Sequence, residues 1–268
     1  MGEMASLWTS EKLREVLSTM IAKYPAGVLV EEFIVGQDVT VPFLEKVGVL
    51  SPAAYRMEGI DADPGWGIYD YALKNEYSDR VHIEIPAPVS DDLHKKLVEM
   101  TRRVMRGLEI RDLGRADFRV TPEGELFFIE VNALPSLEPG ASLYESAKLA
   151  GLERVQDVLE VVVQSAAERQ KAGLLKKAAQ ESRKRLGKNA QSRFGRFLDA
   201  YYANVPPQDI SESDPVTLFR LSHGHWKLGA ARAKGKPLIR VFNPDPRKDG
   251  WKSERTIIEI VNDDMPFL

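Results

Sequence analysis

The feature that most constrains this chain is a strand–turn–strand pattern over residues 116–131. Two segments rich in β-branched and aromatic residues, Ala116–Thr121 and Leu126–Val131, flank the turn-like sequence Pro122–Glu125. The pattern predicts a β-hairpin. Counting outward from a four-residue turn places Asp117 opposite Glu130.

The same count assigns side chains to the two faces of the hairpin, since successive residues of a strand point to opposite faces. Arg115 falls opposite Asn132 and shares a face with Asp117 and Glu130. The other face, which we expect to pack on a core, receives four apolar residues: Phe118, Val120, Phe127 and Ile129.

The polar face of the hairpin has the composition of a metal site. Directly opposed like charges repel, so an Asp opposite a Glu favours a cation between them. Two carboxylates and an amide oxygen are hard ligands that suit Mg²⁺, and they predict Asp117, Glu130 and Asn132 as its ligands. On spacing alone, a hairpin that merely exposes charged residues to solvent fits equally well.

The remaining periodicity predicts an α+β fold. Helices are expected from Ser10 to the stop at Tyr24–Gly27, after the cap at Ser90, over 142–150 and 152–167, and around 194–204 and 216–233. Strands are expected at 27–35, 38–45, 81–85, 238–242 and 256–261. Residues 51–79 show little periodicity and are interpreted as a long loop, which in a compact domain is usually functional or disordered.

Composition excludes several classes of function. The chain of 268 residues has a net charge of −3 and no cysteine, which excludes disulfides, thiolate metal sites and a cysteine nucleophile. No apolar stretch approaches the ~20 residues that cross a bilayer. We therefore expect a cytoplasmic protein that binds neither nucleic acid nor membrane. The four histidines share no metal spacing with nearby acids and receive no role.

Several motifs in one order resemble the ATP-grasp superfamily, in particular the carboxyl-terminal lobe of D-alanine–D-alanine ligases. They are Gly114–Val120, Phe128–Pro135 and Ser142-Leu143, with Glu31-Glu32-Phe33 and Gly36 resembling the hinge strand and Tyr69–Lys74 the loop that closes over phosphates. The resemblance covers about residues 5–160. It implies a partial ATP-grasp lobe, an antiparallel sheet with flanking helices.

This resemblance implies a role for each matching position. Asp117, Glu130 and Asn132 would hold Mg²⁺ or Mn²⁺, Arg115 would stabilise charge on a tetrahedral intermediate, and Lys74 would contact the transferred phosphate. ATP would be bound by Glu31, Glu32, Phe33, Ile34 and Asp38, and the substrate carboxylate by Ser142 and Leu143. Glu31 could instead face water, and Lys74 could be an ordinary loop lysine.

The implied reaction is ligation of a small-molecule carboxylate to an amine through an acyl phosphate. The chain starts about where the family's Gly-rich phosphate loop should be, and Gly2–Ser6 resembles a remnant of that loop. Because the amino-terminal lobe is missing, we expect Mg-ATP binding rather than autonomous ligase activity. The sequence leaves a homodimer open.

The rest of the chain resembles a different protein. Four stretches are similar to the amino terminus of large bacterial NAD-specific glutamate dehydrogenases: Tyr201–Pro207, His225-Trp226, Ile239–Pro246 and Ile257–Leu268. We expect an ATP-grasp lobe over 1–164, a basic helical linker over 165–190 and a small α/β ACT-like fragment over 191–268. The alternative function is therefore a non-catalytic regulatory fragment of a glutamate dehydrogenase.

Overall fold

The structure is a computed structural model, and it describes residues 10–57, 76 and 78–263. The chain divides into two compact units, Met1–Val163 and Gln164–Leu268.

The first unit is built on an antiparallel sheet, as the sequence predicts. Its strands are β1 (Gln37–Leu44), β2 (Gly48–Val49), β3 (Ala53–Met57), β4 (Val81–Glu84), β5 (Leu113–Val120) and β6 (Leu126–Asn132). The order across the sheet is β4-β3-β1-β5-β6, and β2 pairs with β1. Among its described residues, helices up to position 150 are α1 (Ser10–Lys23), α2 (Asp91–Gly107) and α3 (Ser142–Lys148), with a 3₁₀ turn at Ser78–Arg80.

One face of the sheet packs against helix α2. The Ser90 hydroxyl accepts a hydrogen bond from the Leu93 amide and caps this helix as predicted, with Asp91 and Asp92 favourably placed in its first turn. The core on this face combines residues of strands, of helix α2 and of the loop before it: Val39, Val41, Ala54, Ala87, Leu97, Met105, Ala116, Phe118 and Val120. Burial of this face leaves the opposite face of β1 and β5 available for polar side chains.

A second cluster covers one end of the sheet. Helix α3 and the start of helix α4 (Val155–Arg185) pack there, and the cluster contains Leu44, Leu50, Leu113, Leu143, Tyr144, Ala147 and Val158. Gly151 lies between the two helices with φ of 84°, a conformation that favours glycine. The predicted helix break at this glycine is confirmed.

The hairpin of β5 and β6 has the predicted register in its outer half only. Asp117 pairs with Glu130 and Arg115 with Asn132. The register then shifts between Asp117 and Phe118, so that Phe118 pairs with Phe128 and Ile129 becomes the extra residue of a β-bulge.

The bulge and the edge position of β6 overturn one expectation. Phe118 and Val120 are buried, but Phe127 and Ile129, expected on the same packed face, are 37% and 57% exposed. No strand of the described residues lies beyond β6. Phe127 and Ile129 therefore remain largely uncovered, whereas Leu126 and Val131 of the same strand pack against the core.

Two further expectations from the sequence were wrong. Residues 27–35 form no strand, since none of the described strands pairs with them and Leu29 is 79% exposed. Their apolar spacing is therefore not a sign of burial. Residues 51–79 are not all loop, because β3 occupies Ala53–Met57 and pairs with β1 and β4. The remainder, 58–75 and 77, lies outside the described residues.

The second unit begins within helix α4, which runs without a break through the basic segment to Arg185. The helices that follow are α5 (Lys188–Tyr202), α6 (Pro207–Ser211) and α7 (Pro215–Ala231). They share an aromatic-rich core: Ala178, Phe194, Leu198, Tyr202, Ile210, Leu218 and Phe219. The predicted helices α5 and α7 are confirmed. Helix α6 was not predicted, because Pro206-Pro207 was interpreted only as the end of the preceding helix. Proline is also common in the first turn of a helix, and Pro207 begins α6.

The second unit ends in a two-stranded antiparallel sheet, β7 (Leu238–Phe242) and β8 (Ile257–Val261), close to the predicted strands. Four aliphatic residues in two cross-strand pairs, Ile239 with Ile260 and Val241 with Ile258, are each more than half exposed. None of the helices described is long and apolar enough to cross a membrane.

Candidate functional site

A cavity of about 820 Å³ lies on the polar face of the first unit's sheet. Strands β1, β3, β5 and β6 and the residues before α3 contribute its polar lining: Asp38, Thr40, Tyr55, Arg115, Asp117, Glu130, Asn132, Ser136, Glu138 and Ser142. The structure therefore brings the four polar residues of the hairpin together, as the register predicted.

At the centre of the cavity Asp117 is held from two sides. Arg115 donates from Nε to Asp117 Oδ1 and from Nη2 to Oδ2, both at 2.8 Å. Thr40, which pairs with Asp117 in the sheet, donates its hydroxyl to Oδ1 at 2.6 Å. Because both carboxylate oxygens accept charge-assisted bonds, Asp117 is fixed in orientation.

Charge around Arg115 keeps it protonated. Burial by itself would lower the pKa of Arg115, but the hydrogen bonds and charge of Asp117 outweigh it, with smaller effects from Tyr55 and Glu130, so the pKa is raised. The guanidinium is therefore a permanent positive charge beside two carboxylates.

Glu130 and Asn132 of β6 supply further oxygen atoms that could bind a cation. Asn132 Oδ1 accepts a hydrogen bond from the Leu134 amide at 3.0 Å, which orients the side-chain amide. Within the described parts of the chain no three His, Cys, Asp or Glu residues form a metal cluster. Two carboxylates and one amide oxygen nevertheless fit Mg²⁺, because this ion uses few protein ligands and is usually also bound by substrate phosphates.

A second charged contact lies at the other end of the cavity. Asp38 at the start of β1 pairs with Arg119 of β5, whose Nη1 lies 2.7 Å from Asp38 Oδ1. Arg119 also donates from Nε to the carbonyl of Ile34 at 2.9 Å. Its guanidinium lies 5.4 Å from the ring centroid of Phe33. One arginine thus contacts three of the residues proposed for nucleotide binding.

The other predicted site residues are placed less centrally. Glu31 and Glu32 are exposed and do not line the cavity. Ser142 lines it, whereas the Leu143 side chain is 1% exposed within the core. Lys74 lies outside the described residues.

The sequence did not predict four residues of the polar lining, Thr40, Tyr55, Ser136 and Glu138, or Arg119, which contacts the lining residue Asp38. Arg119 could have been found, because it follows Arg115 and Asp117 at the same two-residue spacing. Thr40 and Tyr55 could not, since each reaches the cavity through strand pairings between distant segments. Nothing in the local sequence specifies those pairings.

The chain is similar to known proteins of two families. The family model "D-ala D-ala ligase C-terminus" matches residues 4–164. The chain belongs to this ligase family. The D-alanine–D-alanine ligases of Aquifex aeolicus and Gloeobacter violaceus are 34% and 33% identical over 143 and 144 residues. Each alignment covers 53% of this chain and 45% of the relative. The chain therefore spans less than half the length of these two ligases.

A solved D-alanine–D-alanine ligase from Bacillus anthracis has a TM-score of 0.48 and 16% identity, over 62% of this chain and 50% of its own. Residues 197–268 match a second family model, "Glutamate dehydrogenase, ACT1 domain". The NAD-specific glutamate dehydrogenase of Halomonas elongata is 31% identical over 103 residues, which is 38% of this chain and 6% of the enzyme. Both resemblances stated from the sequence are confirmed.

Proposed function

We propose that the first unit binds Mg-ATP and takes part in ATP-dependent ligation of a carboxylate to an amine. The observation that carries this proposal is the cluster of Arg115, Asp117, Glu130 and Asn132 in one cavity. Membership of the D-alanine–D-alanine ligase family supports it. D-alanine is therefore the first substrate to test.

The donor atoms of the cavity fit a divalent cation. Asp117, Glu130 and Asn132 would hold it, and Thr40 keeps Asp117 aimed into the cavity. When bound, Mg²⁺ supplies charge neutralisation at phosphate oxygens. Because Arg115 now occupies both oxygens of Asp117, binding of a cation would release its guanidinium for another anionic partner.

The reaction we propose has two steps and needs no nucleophile from the protein. An oxygen of the substrate carboxylate attacks the γ-phosphorus of ATP, and the bond to ADP breaks. An amine then attacks the acyl phosphate, loses a proton and expels phosphate. Such transfers depend on positioning and charge stabilisation. Arg115 would stabilise the negative charge that develops, Lys74 would contact the transferred phosphate, and Ser142 with the Leu143 backbone would bind the carboxylate.

Thermal unfolding of the full chain tests Mg-ATP binding, since a ligand that binds only the folded state raises its stability. We expect millimolar Mg-ATP to raise the unfolding temperature of the first unit. Asp117→Asn/Glu130→Gln should abolish the increase. Asp92→Asn/Glu125→Gln removes two exposed carboxylates outside the cavity and should leave the increase intact. No increase in the natural chain, or an equal one in the cavity variant, would refute the proposal.

A second candidate function rests on residues 197–268, which match the ACT1 domain of glutamate dehydrogenase. On this alternative the chain is a non-catalytic regulatory fragment. The two candidates differ in turnover, which is measured as ADP released from Mg-ATP in the presence of D-alanine. Release that depends on D-alanine and is lost in Asp117→Asn/Glu130→Gln favours the ligase. Absence of release together with absence of Mg-ATP binding favours the regulatory fragment.

A further inference from the structure

Among the described residues of the first unit, Arg119 is the buried charged residue that the proposed chemistry does not use. Its relative exposure is 4%, although arginine is almost never so buried unless paired. Arg115 and Asp117 of the same strand line the cavity, which suggests that Arg119 also contributes to the site. The inference that follows rests on the proposed function of the cavity.

Three contacts of Arg119 lead to one segment, residues 33–38. The guanidinium donates from Nε to the Ile34 carbonyl at 2.9 Å and from Nη1 to Asp38 at 2.7 Å, and it lies over the Phe33 ring. Lysine could not make this set of contacts, because it carries a point charge and not a rigid fork.

No β-ladder of the described residues supports the first part of this segment. Residues 28–35 belong to no helix or strand, so their backbone conformation is not fixed by a ladder of hydrogen bonds. At Gly36 the chain passes so close to β5 that a Cβ atom would lie 2.2 Å from the carbonyl oxygen of Val120. Arg119 and this close approach together fasten the segment to the end of β5.

We propose that Arg119 is a positioning residue for the nucleoside half of ATP. It fixes the Ile34 backbone and the Asp38 carboxylate relative to the metal-binding half of the cavity, without touching the nucleotide itself. Arg119 and Asp117 lie on the same strand, two residues apart, so one strand aligns both halves of the site.

If Arg119 positions only the residues that bind the nucleoside, its loss should weaken binding of the adenosine part of ATP and leave binding of the phosphate chain unchanged. The test compares Mg-ATP with Mg-tripolyphosphate, which has the phosphates but no nucleoside, by calorimetric titration of the full chain. In Arg119→Met we expect Mg-ATP to bind about tenfold more weakly, because only a minor fraction of molecules holds the competent segment. Mg-tripolyphosphate should bind as in the natural chain.

Arg119→Lys keeps the positive charge and is the second variant, which tests the inference even if Arg119→Met fails to fold. It should retain the pairing with Asp38, lose the bond to the Ile34 carbonyl, and give an intermediate loss of Mg-ATP affinity. If Arg119 had a purely structural role, the apparent affinity for both ligands would fall in proportion to the fraction of molecules that is folded. Backbone hydrogen exchange over residues 33–37, measured without ligand, should be faster in both variants.

The outcomes separate this inference from the proposed function. If the natural chain binds neither ligand, the proposed function itself is refuted. If it binds Mg-ATP and Arg119→Met binds both ligands unchanged, or weakens both equally, the positioning role is refuted. Selective loss of Mg-ATP affinity, with partial recovery in Arg119→Lys, supports it.

Discussion

Replacing Arg115 by methionine tests whether this arginine acts as the counter-ion of Asp117 when no cation is bound. The substitution keeps an unbranched side chain but removes both 2.8 Å bonds to the carboxylate. Asp117 is then left with the Thr40 hydroxyl in a partly buried site. Since Mg²⁺ is proposed to bind the same carboxylate, the variant should be destabilised without the cation and rescued by it.

The magnitude follows from the exposure of the pair. Loss of one partner from a fully buried pair costs about 3–5 kcal/mol, and from a surface pair about 0.2–1 kcal/mol. The side chains of Arg115 and Asp117 are 19% and 21% exposed, which lies between these limits. We therefore expect a loss of about 1–3 kcal/mol. For a unit of this size that corresponds to a fall of roughly 2–12 °C in unfolding temperature.

The assay is differential scanning calorimetry of the full chain, in EDTA and in millimolar MgCl₂. We expect a larger Mg²⁺-dependent increase in unfolding temperature for Arg115→Met than for the natural chain. Arg102→Met is the matched control, because Arg102 pairs with Glu99 at the surface and its loss should change stability by less than about 0.5 kcal/mol. An equal or smaller response to Mg²⁺ in Arg115→Met would show that Arg115 does not compete with a cation for Asp117.

Two further predictions concern backbone packing and pH. Gly36→Ala should destabilise the first unit by about 1–3 kcal/mol in urea unfolding, since the new Cβ meets backbone, whereas Gly107→Ala, with nothing within 4 Å, should not. Burial among aromatic rings, and then the charges of Lys227 and Arg185, lower the pKa of His223. The unfolded chain therefore binds the proton first, and stability of the second unit should fall as pH drops below about 6.5. His223→Gln should flatten that dependence; an unchanged slope would contradict it.

Local sequence was sufficient for the elements with strong signals of their own. The cap at Ser90, the break at Gly151 and the strand Leu238–Phe242 follow from short-range rules of capping, turn conformation and alternation. The opposition of Asp117 and Glu130 also followed from counting along one hairpin. Such features depend on residues of a single helix end, turn, strand or hairpin.

The features that were missed depend on partners far along the chain. Residues 27–35 have the apolar spacing of a strand, but a strand also needs a neighbour to pair with. Thr40 reaches Asp117 across 77 positions, and Arg119 reaches Ile34 across 85. The order of strands in the sheet decides these contacts, and no local pattern encodes that order.

The bulge in β6 has a consequence for insertions and deletions in this region. Phe128 pairs with Phe118 on one side of it, Glu130 pairs with Asp117 on the other, and Ile129 between them has no partner in the ladder. Removal of this one residue would turn the hairpin into a regular ladder and leave Glu130 opposite Asp117. A one-residue difference in length at Ile129 should therefore be tolerated among homologous chains. Deletion of Val131, which lies between Glu130 and Asn132, would instead move the Asn132 side-chain amide away from Arg115 and dismantle the site.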